Sequence, residues 1–242
     1  MAVDYPIKDK YNIEDLLEIM RILRAPGGCP WDAEQDHESI KKNLIEETYE
    51  VIEAINKKDD ELLQEELGDV LLQVVFHAVM EEEKKVFDFD DVADGICKKL
   101  IERHPHVFGE VSVSGTDDVL NNWDAIKRNS KKQKTTTQAM DSVPRELPAL
   151  MRASKLQAKA AKAGAEPSAD AAVYVSEKAE KLAENINEKT VGELLFAVCA
   201  AARQQGIDPE EALTCVSDEF LSSFGEYEKS TDEEKNASAL YN

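Results

Sequence analysis

The chain has 242 residues, enough for one large helical domain or two small ones. Its 42% apolar content is sufficient for a real core, while a formal net charge of −21 repels phosphate backbones and argues against a nucleic-acid partner. A small nucleotide is compatible with that charge, because a bound divalent cation inverts the local field.

Met1–Lys10 is polar and carries no apolar signal core, and no apolar run approaches the length of a membrane span. The expected location is the cytoplasm, with no membrane partner. Cys29, Cys97, Cys199 and Cys215 form no CxxC pair, so they are expected as reduced thiols rather than as zinc ligands.

In chain order, Ile13, Leu16, Leu17, Met20 and Leu23 predict a helix over 13–24. The run Ala25-Pro26-Gly27-Gly28-Cys29-Pro30 breaks it. Gly27-Gly28 lacks the frame of a phosphate-binding P-loop. A long helix is expected over 36–56, with Ile40, Leu44, Thr48, Val51, Ile52 and Ile55 on one face. After a turn at 57–60, the next helix covers 61–84, and another covers 90–103 with Asp90 or Asp91 as its cap. The segment 127–138 has the composition of a solvated polar linker. Further helices are expected over about 147–165, 171–186, 190–204 and 208–227, the last started by Pro209. The fold class is therefore all-α, divided into an N-terminal domain 1–128, a linker 129–143 and a C-terminal domain 144–242.

The two blocks resemble each other. Leu67-Gly68-Asp69-Val70-Leu71-Leu72 matches Val191-Gly192-Glu193-Leu194-Leu195-Phe196, and Glu47 and Glu50 match Glu177 and Glu180. A duplicated helical hairpin is the simplest explanation.

Glu47 and Glu50 are three apart, as are Glu66 and Asp69, so each pair projects from one side of its helix. A short turn near Asp59 makes the two helices antiparallel neighbours, and four carboxylates then converge. Such convergence is costly unless a cation neutralises it, and an all-oxygen set suits Mg²⁺, or Mn²⁺ as a substitute, better than zinc. Leu62, Glu66, Asp69, Gln73, Phe76 and Met80 form one inward stripe, with His77 beside it expected as a core or edge histidine. On these residues alone, a solvated acidic edge and a metal site both remain open.

Glu46-Glu47-x-x-Glu50 followed by Glu66-x-x-Asp69 resembles the metal motif of the MazG and all-α NTP pyrophosphatases. The surrounding segments resemble MazG proteins in the same order. They are Gly28-Cys29-Pro30-Trp31-Asp32, the run from Lys99 through Arg103-His104-Pro105-His106-Val107-Phe108-Gly109, then Asn122-Trp123, Leu147-Pro148-Ala149-Leu150 and Met151-Arg152-Ala153. The resemblance implies Mg²⁺-dependent hydrolysis of NTPs or dNTPs to a monophosphate and pyrophosphate, a house-cleaning role for the nucleotide pool, and a homodimer. It implies Glu47, Glu50, Glu66 and Asp69 as metal ligands. It also implies Glu46, Lys99 and Arg103 as catalytic residues, with Lys99, Arg103 and Trp123 contacting substrate. A nucleotide-binding or regulatory helical module with little turnover is the alternative.

The second block departs from that pattern. Thr190 stands where Glu66 does, Glu219 where Lys99 does and Ser223 where Arg103 does. A degenerate copy serving structure or dimerisation is expected there.

Overall fold

Asn12 starts the first helix, α1 (Ile13–Arg24), by accepting from the Asp15 backbone N–H while the Asp15 carboxylate accepts from that of Asn12. In this computed structural model, which describes residues 5–130, 135–166 and 170–239, every regular element among the described residues is helical. The chain divides into two compact units at residues 123/124, a division that falls inside α7 (Thr116–Ser130). No helix among the described residues is long and apolar enough to cross a membrane.

In the first unit, α2 (Pro30–Glu34) follows α1 after a tight reversal, then come α3 (His37–Lys57), α4 (Asp60–Glu83), α5 (Phe89–Arg103) and the short α6 (Pro105–Phe108). The reversal requires glycine at 28. A Cβ there would lie 2.2 Å from the Ile22 carbonyl oxygen and 2.4 Å from that of Leu23. The four long helices match the expected spans to within a residue or so, but the cap of α5 is Asp88, not Asp90 or Asp91. Two short proline-started helices, α2 and α6, and the whole of α7 lie where no helix was expected.

Leu17 and Met20 of α1, Ile40 of α3, and Val75, Phe76, Val79 and Met80 of α4 form the core of this unit. The apolar second half of α4 is thus covered by α1 of the same chain. Arg24 ties this packing down at one end. Its guanidinium grips Glu83 through Nε at 2.7 Å and a second nitrogen at 2.9 Å, and lies over the Phe76 ring. We expect Phe76→Ala to cost about 3–5 kcal/mol, because truncation leaves a cavity in a closed core. Urea unfolding of the two proteins would measure it.

The inward face of α3 differs from expectation. Ile40 and Ala54 are buried and Leu44, Glu47 and Val51 half-buried, a run at spacings of three and four, whereas Thr48, Ile52 and Ile55 face outward. With several apolar residues, Ile45 and Tyr49 among them, on either side of the helix, periodicity alone could not choose the packed face.

The second unit holds α8 (Thr136–Asp141), α9 (Ala149–Lys162), α10 (Ala171–Glu184), α11 (Glu188–Gln204) and α12 (Pro209–Ala239). Helices α10 and α11 form a second antiparallel hairpin, and α9 packs across α11. Buried Gln157 donates to the Phe196 carbonyl at 2.7 Å, and Glu210 caps α9 by accepting from the Met151 N–H. Helical spans reach into the segment expected as linker, since α7 runs through Ser130 and α8 opens at Thr136; 131–134 lie outside the described residues.

Candidate active site

The α3/α4 hairpin brings the acidic residues together. Lys58 closes α3 in the left-handed region at φ 56°, and Asp59 caps α4 by accepting from the Leu62 N–H at 3.0 Å. Two residues therefore reverse the chain and set the helices side by side. Glu47 from α3 and Glu66 and Asp69 from α4 each offer a carboxylate oxygen, all within 4.8 Å of one another. Glu50 lies within hydrogen-bonding reach of both Glu47 and Glu66.

This crowding shows in the ionisation of the group. The Glu47 carboxyl is pushed above the usual carboxylate value, first by burial, then by its hydrogen bond with Glu50 and by the charges of Asp69, Glu50 and Glu66. Glu66 is pushed up by burial and by the charges of Glu50, Asp69 and Glu65. These influences all act in one direction, the signature of negative charge gathered without enough counter-charge. A hard divalent cation fits that donor set: three or four carboxylates on two rigid helices, partly withdrawn from water. Gln73, one turn beyond Asp69 on the same face, adds a buried side-chain oxygen with no hydrogen-bond partner among the described residues.

The sign of the resulting pH dependence follows from linkage. Glu47 has a higher pKa folded than unfolded, so the stability it retains in acid is lost as pH rises through its folded value. In metal-free protein, Glu47→Gln should therefore match the parent near pH 4 and become the more stable of the two toward neutrality. Urea midpoints across pH, with chelator, check this; a gap that closes on raising the pH contradicts it.

Farther along the hairpin, His37 and His77 stack with ring centroids 5.0 Å apart and Nδ1 atoms 2.7 Å apart, and His37 Nε2 meets Glu81 at 2.5 Å. His77 is thus a half-buried member of a polar network rather than of the carboxylate cluster, and burial lowers its pKa. His37 and Glu81 carry no signal in the sequence that would have joined them to it.

Of the two basic residues, Arg103 packs against an aromatic ring. Arg103, at the end of α5, is 8% exposed, and its guanidinium lies 5.3 Å from the Trp123 ring centroid. Its Nε is buried without a hydrogen-bond partner among the described residues. His104 meets the Trp123 ring edge-on at 5.1 Å. Lys99 sits one turn earlier on α5 and is exposed, as is Glu46 on α3. The structure therefore assembles Glu47, Glu50, Glu66 and Asp69 in one place and Arg103 with Trp123 in another.

Comparison with known proteins gives this arrangement its relatives. A family model described as the MazG nucleotide pyrophosphohydrolase domain matches residues 35–108, the stretch that holds the carboxylates, Lys99 and Arg103. The nucleoside triphosphate pyrophosphohydrolase of Escherichia coli is 40% identical over 231 residues, covering 90% of this chain and 88% of that protein. The chain belongs to the MazG family. Another MazG relative, from Thermotoga maritima and named nucleoside triphosphate pyrophosphohydrolase/pyrophosphatase MazG, is 40% identical over 222 residues, 89% of this chain and 85% of its own. The uncharacterized protein YabN of Bacillus subtilis is 43% identical over 243 positions, but the chain spans only half of its length.

Proposed function

We propose that this MazG protein hydrolyses nucleoside triphosphates to a nucleoside monophosphate and pyrophosphate with Mg²⁺, using the first hairpin. The observation that carries this is the meeting of Glu47, Glu66 and Asp69 within 4.8 Å from two adjacent helices, with Glu50 beside them. These four would hold Mg²⁺, with Mn²⁺ as a substitute. When bound, the ion supplies charge neutralisation at the phosphates and a more acidic water.

The residues of the chain do the rest. An acidic side chain, with Glu46 the first candidate and Glu47 or Glu50 able to share the task, orients the water and takes its proton. The water oxygen bonds to the α-phosphorus, and the bond from that phosphorus to the α–β bridging oxygen breaks. Pyrophosphate leaves with that oxygen. Lys99 and Arg103 offset the charge that builds on the departing phosphates, Arg103 through its planar fork of donors, and Trp123 contacts substrate. Removal of surplus or altered nucleotides is the role this chemistry suits. Hydrolysis in ¹⁸O-water tests the bond assignment: the label should enter the monophosphate. Label in pyrophosphate, or binding of nucleotide without turnover, would overturn the proposal.

Pairing with a second copy belongs to the same proposal. Ile45, Tyr49, Ile52, Ile55, Leu67 and Leu71 lie exposed on the metal-bearing hairpin, more apolar surface than a solvated helix pair usually leaves open. A homodimer would cover it. Sedimentation at micromolar concentration should give twice the chain mass; an active monomer would contradict this.

A further inference from the structure

The second hairpin repeats part of the acidic pattern of the first in sequence, on shorter helices, but not its charge. Glu177 and Glu180 on α10 stand at the places of Glu47 and Glu50, and Glu193 on α11 at that of Asp69. Three lysines appear where the first hairpin has none: Lys178 at the place of Thr48, Lys181 at that of Val51 and Lys189 at that of Glu65.

The structure shows what they do. Lys178 Nζ crosses from α10 to α11 and donates to Glu193 Oε2 at 2.8 Å. Its side chain is only 15% exposed, and the ammonium also lies 5.5 Å from the Tyr174 ring centroid. Lys189 Nζ stands 3.9 Å from the other Glu193 oxygen, and Lys181 adds a third positive charge nearby. Glu193 is held below the usual carboxylate value, above all by the Lys178 hydrogen bond. That is the reverse of Glu47 and Glu66, which burial first and acidic neighbours second push up.

We propose that Lys178 is a built-in counter-cation: its ammonium does for the second hairpin what a divalent ion does for the first, and keeps such an ion out. An ammonium delivers its charge and donors directly to one carboxylate and needs no coordination sphere. A divalent ion approaching Glu193 would have to displace a partly buried donor and then face two more lysines. The chain accordingly keeps its divalent-cation site in the first hairpin alone, and the second hairpin folds independently of metal. This rests on reading the first hairpin as a metal site, so the test must report on the two hairpins separately.

Paramagnetic broadening by Mn²⁺ of glutamate side-chain NMR signals in the full chain does so. Signals of Glu47 and Glu66 should broaden at low Mn²⁺, and those of Glu177 and Glu193 should not. Failure of the metal assignment would appear at Glu47 and Glu66, and failure of this inference at Glu193. In a Lys178→Met, Thr190→Glu protein, Glu193 should respond to at least about tenfold less Mn²⁺ than in the parent. The added glutamate falls at the third position of α11, where Thr190 already serves the capping box and where glutamate is well accepted. Lys178→Arg, which keeps the charge, should stay folded and insensitive to Mn²⁺ at Glu193. The inference is overturned if Glu193 of the parent broadens together with Glu47, or if removing Lys178 leaves Glu193 as indifferent to Mn²⁺ as before.

Discussion

An Asp69→Asn protein should fold as the parent does and lose activity by on the order of 100-fold or more, since removing even a supporting group around a bound metal costs 10–100-fold. The substitution keeps the side-chain volume nearly constant and removes one negative charge from a cluster that has too many of them. Without metal its effect on stability should be neutral or favourable, because the crowding around Glu47 and Glu66 is relieved. That combination separates a functional carboxylate from a structural one, since a structural acid would cost stability when neutralised. Circular dichroism, urea unfolding and pyrophosphate release on the same preparation would measure it. Full activity in a folded Asp69→Asn protein would remove the carboxylate cluster from the account.

The second large effect is a contrast between the two hairpins. Glu47→Gln should reduce turnover to a similar extent as Asp69→Asn, whereas Glu177→Gln at the matching place should leave it within about twofold of the parent. Glu47 shares a site with Glu66 and Asp69. Glu177 is exposed on α10, in a hairpin where Thr190 replaces the glutamate and where Glu193 is already paired with Lys178. Rates at saturating substrate would decide it, and equal losses would show that both hairpins contribute to one reaction.

Much of the fold could be read from the sequence because helix starts are local. Asn12, Asp36 and Asp59 cap helices within three residues of themselves, and glycine or proline marks where several helices stop or begin. The meeting of the carboxylates was legible for the same reason, as two spacings of three on helices joined by a short turn. What escaped depended on contacts between distant residues. Nothing near Ile52 or Ile55 shows that α1 packs against the other side of the hairpin. Helix α7 carries Val119, Trp123 and Ile126 at helical spacing, a run too short to have been read as a helix, so Trp123 was found by its resemblance to a motif and not by its place on a helix. The stacking of Trp123 with Arg103 joins residues 20 apart in sequence across two helices, and the His37–His77 pair joins residues 40 apart. The Lys178–Glu193 pair had no sequence signal beyond opposite charge, and it acquires meaning only beside the empty charge balance of the first hairpin.

Pyrophosphate release by the unmodified chain, across a panel of NTPs and dNTPs with Mg²⁺ and then with excess chelator, tests the central claim most directly. The account predicts monophosphate and pyrophosphate in equal amounts with Mg²⁺, loss of both with chelator, and recovery when Mg²⁺ is restored. Undiminished release in chelator, or nucleoside diphosphate and inorganic phosphate as the products, would contradict it.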